Sequence, residues 1–135
     1  MSHDAQLMCG LTLILVPTIV YGGLTVLGIV TGRTMGAPAP DKLSPMQVAF
    51  YRAGHAHAGV LSILSLFLQI AIDYAAIPYP LIWPARVGAL SAALLVSGGF
   101  FAAAHVRALR VVLYLGATAL VAVTLTVGIG LLRAV

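Results

Sequence analysis

Four apolar runs, each about the length of a bilayer-crossing helix, dominate this chain. They cover about 7–30, 56–77, 87–104 and 111–132. A hydrocarbon core of ~30 Å is crossed by about 20 apolar residues in helical form. The runs lack the alternating, ~10-residue pattern of a membrane barrel, and a lone strand in lipid would leave its backbone groups unpaired. The expected fold is therefore all-α: a single polytopic domain over 1–135, built as a four-transmembrane-helix bundle. Charge counts agree, because only 7 Lys+Arg and 3 Asp+Glu occur in 135 residues. Ten charges cannot wet the surface of a soluble domain, where roughly 25% of residues are charged.

The few charges then set orientation. Arg33, Lys42, Arg52, Arg107 and Arg110 fall in the first and third connections, whereas Arg86 and Arg133 lie on the opposite side. The positive-inside rule puts the first and third connections in the cytoplasm and both termini outside a cell (inner) membrane. Dual topology is the competing reading. The basic residues are scattered singly, so no nucleic-acid surface is expected. The lone Cys9 excludes an internal disulfide and a Cys-rich zinc site. No basic segment precedes the first run, so it is expected to be a retained span rather than a signal peptide. Tyr74, Tyr79 and Trp83 suit an aromatic belt around the second connection, 78–86.

Within the long first connection, 31–54, Ser44-Pro45-Met46-Gln47 has a capping Ser, Pro at the first helical position and Gln at the third. A helix begun there and continued to Ile77 outruns the bilayer core. The second helix is thus expected to extend on the cytoplasmic side unless Gly54 breaks it.

The second span carries most of the polar chemistry. At 3.6 residues per turn, His55, Ser62, Ser65, Gln69 and Asp73 fall within about 80° of one another. A polar stripe in lipid faces protein or water, with cross-helix hydrogen bonding as its plain structural use and an Asp73–Arg86 pair at its outer end. The third span offers small residues, Gly88, Ser91, Gly98 and Ala102, ending at His105. Topology brings His55, His57 and His105 to one end of the bundle, with Tyr51, Arg52 and Arg107 nearby. On an ideal helix His55 and His57 point about 200° apart. Both can ligate one metal only if 54–59 is unwound; otherwise His55 is expected to face inward. A haem needs one histidine per face.

The segment Phe50-Tyr51-Arg52-Ala53-Gly54-His55-Ala56-His57-Ala58-Gly59 resembles a motif of small four-span bacterial membrane proteins of the actinobacterial type. That resemblance implies the fold and no activity. His55-Ala56-His57 is also similar to the His-Ala-His motif of haem–copper oxidase subunit I relatives, which implies His55 or His57 as a haem ligand. Arg52-Ala53-Gly54-His55-Ala56-His57 looks like part of the second-helix motif of the membrane-associated eicosanoid and glutathione metabolism proteins, which are trimers of four-helix subunits with external N-termini. It implies Arg52 as an anion clamp and Tyr51 or His55 as proton donor or thiol activator.

Four functions are consistent with these residues. The first is haem or divalent-metal binding by His55, His57 and His105. The second is a membrane enzyme acting on a lipophilic or thiol substrate. The third is a small proton-coupled transporter using the stripe from His55 to Asp73. The fourth is an accessory subunit of a larger membrane complex. The expected partners are the lipid bilayer and either further copies of the chain or a membrane complex.

Overall fold

The computed structural model describes residues 1–31 and 43–135. Arg33, Lys42 and the Pro-containing stretch between them lie outside the described residues. Four helices form: α1 (His3–Thr31), α2 (Pro45–Tyr74), α3 (Tyr79–Ala103) and α4 (Arg110–Arg133), with one 3-10 turn, Arg107–Leu109, before α4. All four are long and apolar enough to cross a membrane, and no strand occurs among the described residues. The chain is a multi-pass membrane protein with an all-α four-helix fold.

α2 starts where its capping chemistry dictates. The Gln47 N–H donates to Ser44 Oγ at 3.2 Å, and the Ser44 N–H donates to Gln47 Oε1 at 2.9 Å. Pro45 occupies the first turn, where its missing N–H costs nothing. The helix then runs 30 residues without a break at Gly54, about 45 Å at 1.5 Å per residue. It stops at Tyr74, short of Ile77. Pro78 disfavours helical geometry at Ile77, and the Ala76 N–H leaves the helix pattern to donate to Gly130 O of α4 at 2.9 Å.

The second connection is shorter than 78–86. Only 75–78 is non-helical, and α3 takes up Pro80, Pro84 and Arg86. Pro80 fits the first turn for the same reason as Pro45. Pro84 removes one helix bond, a loss that transmembrane helices tolerate where other groups re-satisfy the freed carbonyl. Tyr74, Tyr79 and Trp83 stand exposed around this end, as an interfacial belt requires.

Glycines decide which helices meet closely. A Cβ on Gly99 would lie 2.6 Å from Leu113 N, and one on Gly116 would lie 2.7 Å from Val96 N. The α3 and α4 backbones therefore touch through this pair. A Cβ on Gly88 would likewise meet Val123 Cγ2 of α4 at 2.7 Å. The small face of α3 thus serves α4 at Gly88 and Gly99, while Gly98 borders open space. Leu68, Ile72, Ala85, Ala89, Val123 and Val127 join α2, α3 and α4 in one buried cluster. α1 packs chiefly on α2 and buries only Ala5, Met8, Thr12 and Val26.

Gly99→Ala should lower stability by about 1–3 kcal/mol, because a backbone cannot yield to the new methyl group. Gly128→Ala, which meets nothing within 4 Å, should change it little. Thermal unfolding of both variants in detergent checks the contrast.

Candidate functional site

At the end of the bundle where α2 gives way to α3, polar groups form a hydrogen-bonded network. Arg86 is 3% exposed, in the second turn of α3. Its Nη2 donates to Asp73 Oδ1 at 2.5 Å and to Ser2 Oγ at 3.1 Å. Its Nη1 donates to Gln69 O at 3.2 Å and Gln69 Oε1 at 3.3 Å. Gln69, fully buried, returns a bond from Nε2 to Arg86 O at 2.9 Å. Ser2 completes the ring, donating from Oγ to Asp73 Oδ1 at 2.7 Å and from its N–H to Asp73 Oδ2. Gln69 and Asp73 of the polar stripe are thus engaged in tying α1, α2 and α3 together. Inside a low-dielectric core, an Arg left without its carboxylate would cost several kcal/mol.

The opposite end holds the three histidines in three different settings. His57 is exposed. Its Nδ1 lies 2.7 Å from Ala53 O one turn back, and its ring packs on Phe100 at 4.9 Å between centroids. His105 follows α3, and its Nε2 pairs with Tyr51 Oη at 2.7 Å. Tyr51 also stands edge-on to Phe101, with centroids 5.6 Å apart. Arg52 and Arg107 are exposed. Arg110 lies over the Phe50 ring at 5.7 Å.

His55 differs from both. Residues 54–59 are helical, so its ring points away from His57, toward α1. There it rests on the backbone at Gly23, where an added Cβ would fall 2.7 Å from His55 Cε1 and 2.8 Å from Nε2. No protein group among the described residues hydrogen-bonds its imidazole. The structure therefore brings His105 to Tyr51 but does not assemble His55, His57 and His105 around one point. Among the described residues no group of three His, Cys, Asp or Glu side chains could hold a metal ion.

His55 instead lines a cleft of about 240 Å³ between α1 and α3, floored by α2. Leu15, Ile19, Leu90 and Leu94 supply apolar walls, Phe101 an aromatic one, and Gly22, Ala58 and Gly98 make room. Thr18, Ser62 and Ser97 add hydroxyls. Because α1 has little contact with α3, the cleft is partly open on that side, which in a bilayer is lipid. Of the stripe, His55 and Ser62 reach the cleft, Ser65 is buried and does not line it, and Gln69 and Asp73 belong to the far network. Tyr51, Arg52 and Arg107 do not line it.

Among the cleft residues that carry polar or aromatic chemistry, Ser97 and Phe101 are not singled out by their sequence pattern. The signals that point to the cleft are the His55 and Ser62 end of the polar stripe and the small residue Gly98 on α3. Comparison with protein-family models, curated proteins and solved structures yields no match.

Asp73→Asn should destabilise the protein by about 3–5 kcal/mol by leaving Arg86 buried and unpaired. Combining it with Arg86→Gln should recover part of that loss. A double-mutant cycle of detergent unfolding measures the coupling.

Proposed function

We propose that this protein binds a lipophilic small molecule inside the membrane, in the α1–α3 cleft, with His55 as its polar anchor. One observation carries the reading. Of the three neighbouring histidines, His55 alone keeps an imidazole free of partners among the described residues, and it faces a cavity open toward lipid. Binding sites for small molecules are concave, mostly apolar and furnished with a few polar groups, and this cleft has that character. Its volume sits just below the usual range of ~300–1,000 Å³. It suits a ring or headgroup whose tail stays in the bilayer.

Haem is the second reading, favoured by the same free imidazole, which could serve as a single axial ligand. Among the described residues no Arg or Lys lines the cleft to pair with haem carboxylates, which ranks this reading below a neutral lipophile. Sidedness belongs to the proposal as well. Arg52, Arg107 and Arg110 gather at the histidine end, which we assign to the cytoplasm, with the Asp73–Arg86 end outside.

An organic extract of the purified protein should contain a lipophile in near-stoichiometric amount. Gly22→Leu should lose it, because the new side chain grows into the open cleft. His57→Ala should keep it. For haem, the expected sign is a Soret band abolished by His55→Ala and retained in His57→Ala and His105→Ala. An extract identical for wild type and Gly22→Leu would remove the cleft as the site.

A further inference from the structure

The hydroxyl groups of the bundle divide into two kinds. All seven described threonines, Thr12, Thr18, Thr25, Thr31, Thr118, Thr124 and Thr126, donate to a carbonyl three or four residues back in their own helix. Their hydroxyls are satisfied without help. The buried serines behave differently. Ser97 Oγ and Ser65 Oγ are enclosed yet have no hydrogen-bond partner. Ser97 is only 7% exposed and lines the α1–α3 cleft, as do Ser62 and His55. A hydroxyl left unbonded in an apolar interior costs about 1–3 kcal/mol. In lipid no bulk water is at hand to remove that cost. A bound molecule that supplies an oxygen atom would.

Charge narrows what that molecule is. Among the described residues, no Lys, Arg, Asp or Glu lines the cleft. A carboxylate or phosphate drawn into it would lose its hydration with no cation to replace it, which is prohibitive in such surroundings. An ammonium head fails on the same ground. The lining favours an uncharged head with oxygens that accept from Ser97, Ser62 or the His55 ring. Phe101 adds an aromatic side chain to the lining, a partner for a ring in stacked or edge-on contact. The partial opening between α1 and α3 lets an apolar tail trail into the bilayer.

Building on the cleft reading above, we infer that the ligand is a neutral ring carbonyl compound with a hydrocarbon tail, of the alkyl- or prenyl-quinone class. Ser97 donates to a ring oxygen, His55 bonds a second polar atom, and Phe101 packs on the ring. The step is binding alone; no electron transfer is assigned to the chain.

The full-length protein in phospholipid nanodiscs is titrated with decylubiquinone as the neutral ring probe and with oleate as the anionic one. Binding is followed by the concentration-dependent rise in unfolding temperature. Decylubiquinone should bind saturably and oleate should not. Ser97→Ala should weaken decylubiquinone on the order of tenfold, the loss of one neutral hydrogen bond. Gly98→Leu, placed where a Cβ meets nothing within 4 Å, should abolish binding while its ligand-free unfolding stays cooperative. Oleate binding as tightly as decylubiquinone, or Ser97→Ala binding unchanged, would overturn the neutral-ring assignment. If decylubiquinone fails while the extract still carries a lipophile lost in Gly22→Leu, the class is wrong and the cleft reading survives. If both fail, the cleft is not a binding site.

Discussion

Arg86 cannot be left alone in this bundle, and much of the architecture follows from that. A guanidinium 3% exposed must keep its carboxylate and its carbonyl acceptors. Asp73 comes from the last turn of α2, Gln69 from one turn earlier, and Ser2 from the start of α1. The four groups fix the relative height and rotation of three helices at one end. Hydrophobic packing could not do this, because lipid tails solvate apolar side chains as well as protein does. The Ala76 N–H to Gly130 O bond anchors α4 to the same end, so all four helices are held there.

From that fixed end the helices diverge in how closely they pack. α3 and α4 stay in backbone contact at Gly99 and Gly116, and Gly88 admits the Val123 side chain of α4. α2 approaches α3 at Gly54, where a Cβ would crowd Phe100 and Phe101 at 3.1–3.2 Å. α1 has no comparable run of contacts with α3. The cleft is therefore a product of unequal packing: three helices close together, and the fourth held to α2 at Ser2 and at Gly23 with a gap along α3. His55 sits at the far edge of that gap because Gly23 lets its ring reach the α1 backbone.

The fold was legible in the sequence because it rests on lengths and composition. Twenty-residue apolar runs and the Ser44–Gln47 capping box determine where chain can be helical whatever the packing. The α2–α3 connection was misjudged because three prolines suggest a loop, yet two of them lie where a helix spares or tolerates the missing N–H. The Asp73–Arg86 pair was visible because the second and third spans each place one charge beside the short connection that joins them. The site was half legible. Periodicity separates His55 from His57, but it cannot foretell that His57 turns back to Ala53 O or that His105 goes to Tyr51 Oη. Those are choices among side-chain rotamers, and the apolar pattern carries no information about them. Ser97 was invisible because a serine in a membrane helix looks the same whether it is bonded or idle.

That last difference has a chemical root. The β-methyl of threonine restricts χ1, and the favoured helical rotamers aim Oγ1 at the carbonyl three or four residues back. Threonine in these helices is thereby self-contained and can face lipid at little cost, as Thr25 and Thr118 do. Serine has no such restriction and can direct its hydroxyl across a gap. Using serine at 62 and 97, and threonine on lipid-facing turns such as those of Thr25 and Thr118, keeps free hydroxyls where something other than the chain can meet them. Beside an imidazole that no described residue bonds, and with no charged side chain among the described lining residues, those hydroxyls favour a neutral oxygen as their partner. The polar stripe of α2 therefore has two separate jobs along one face. Toward Asp73 its groups are consumed in holding the bundle together, and toward His55 they are left available.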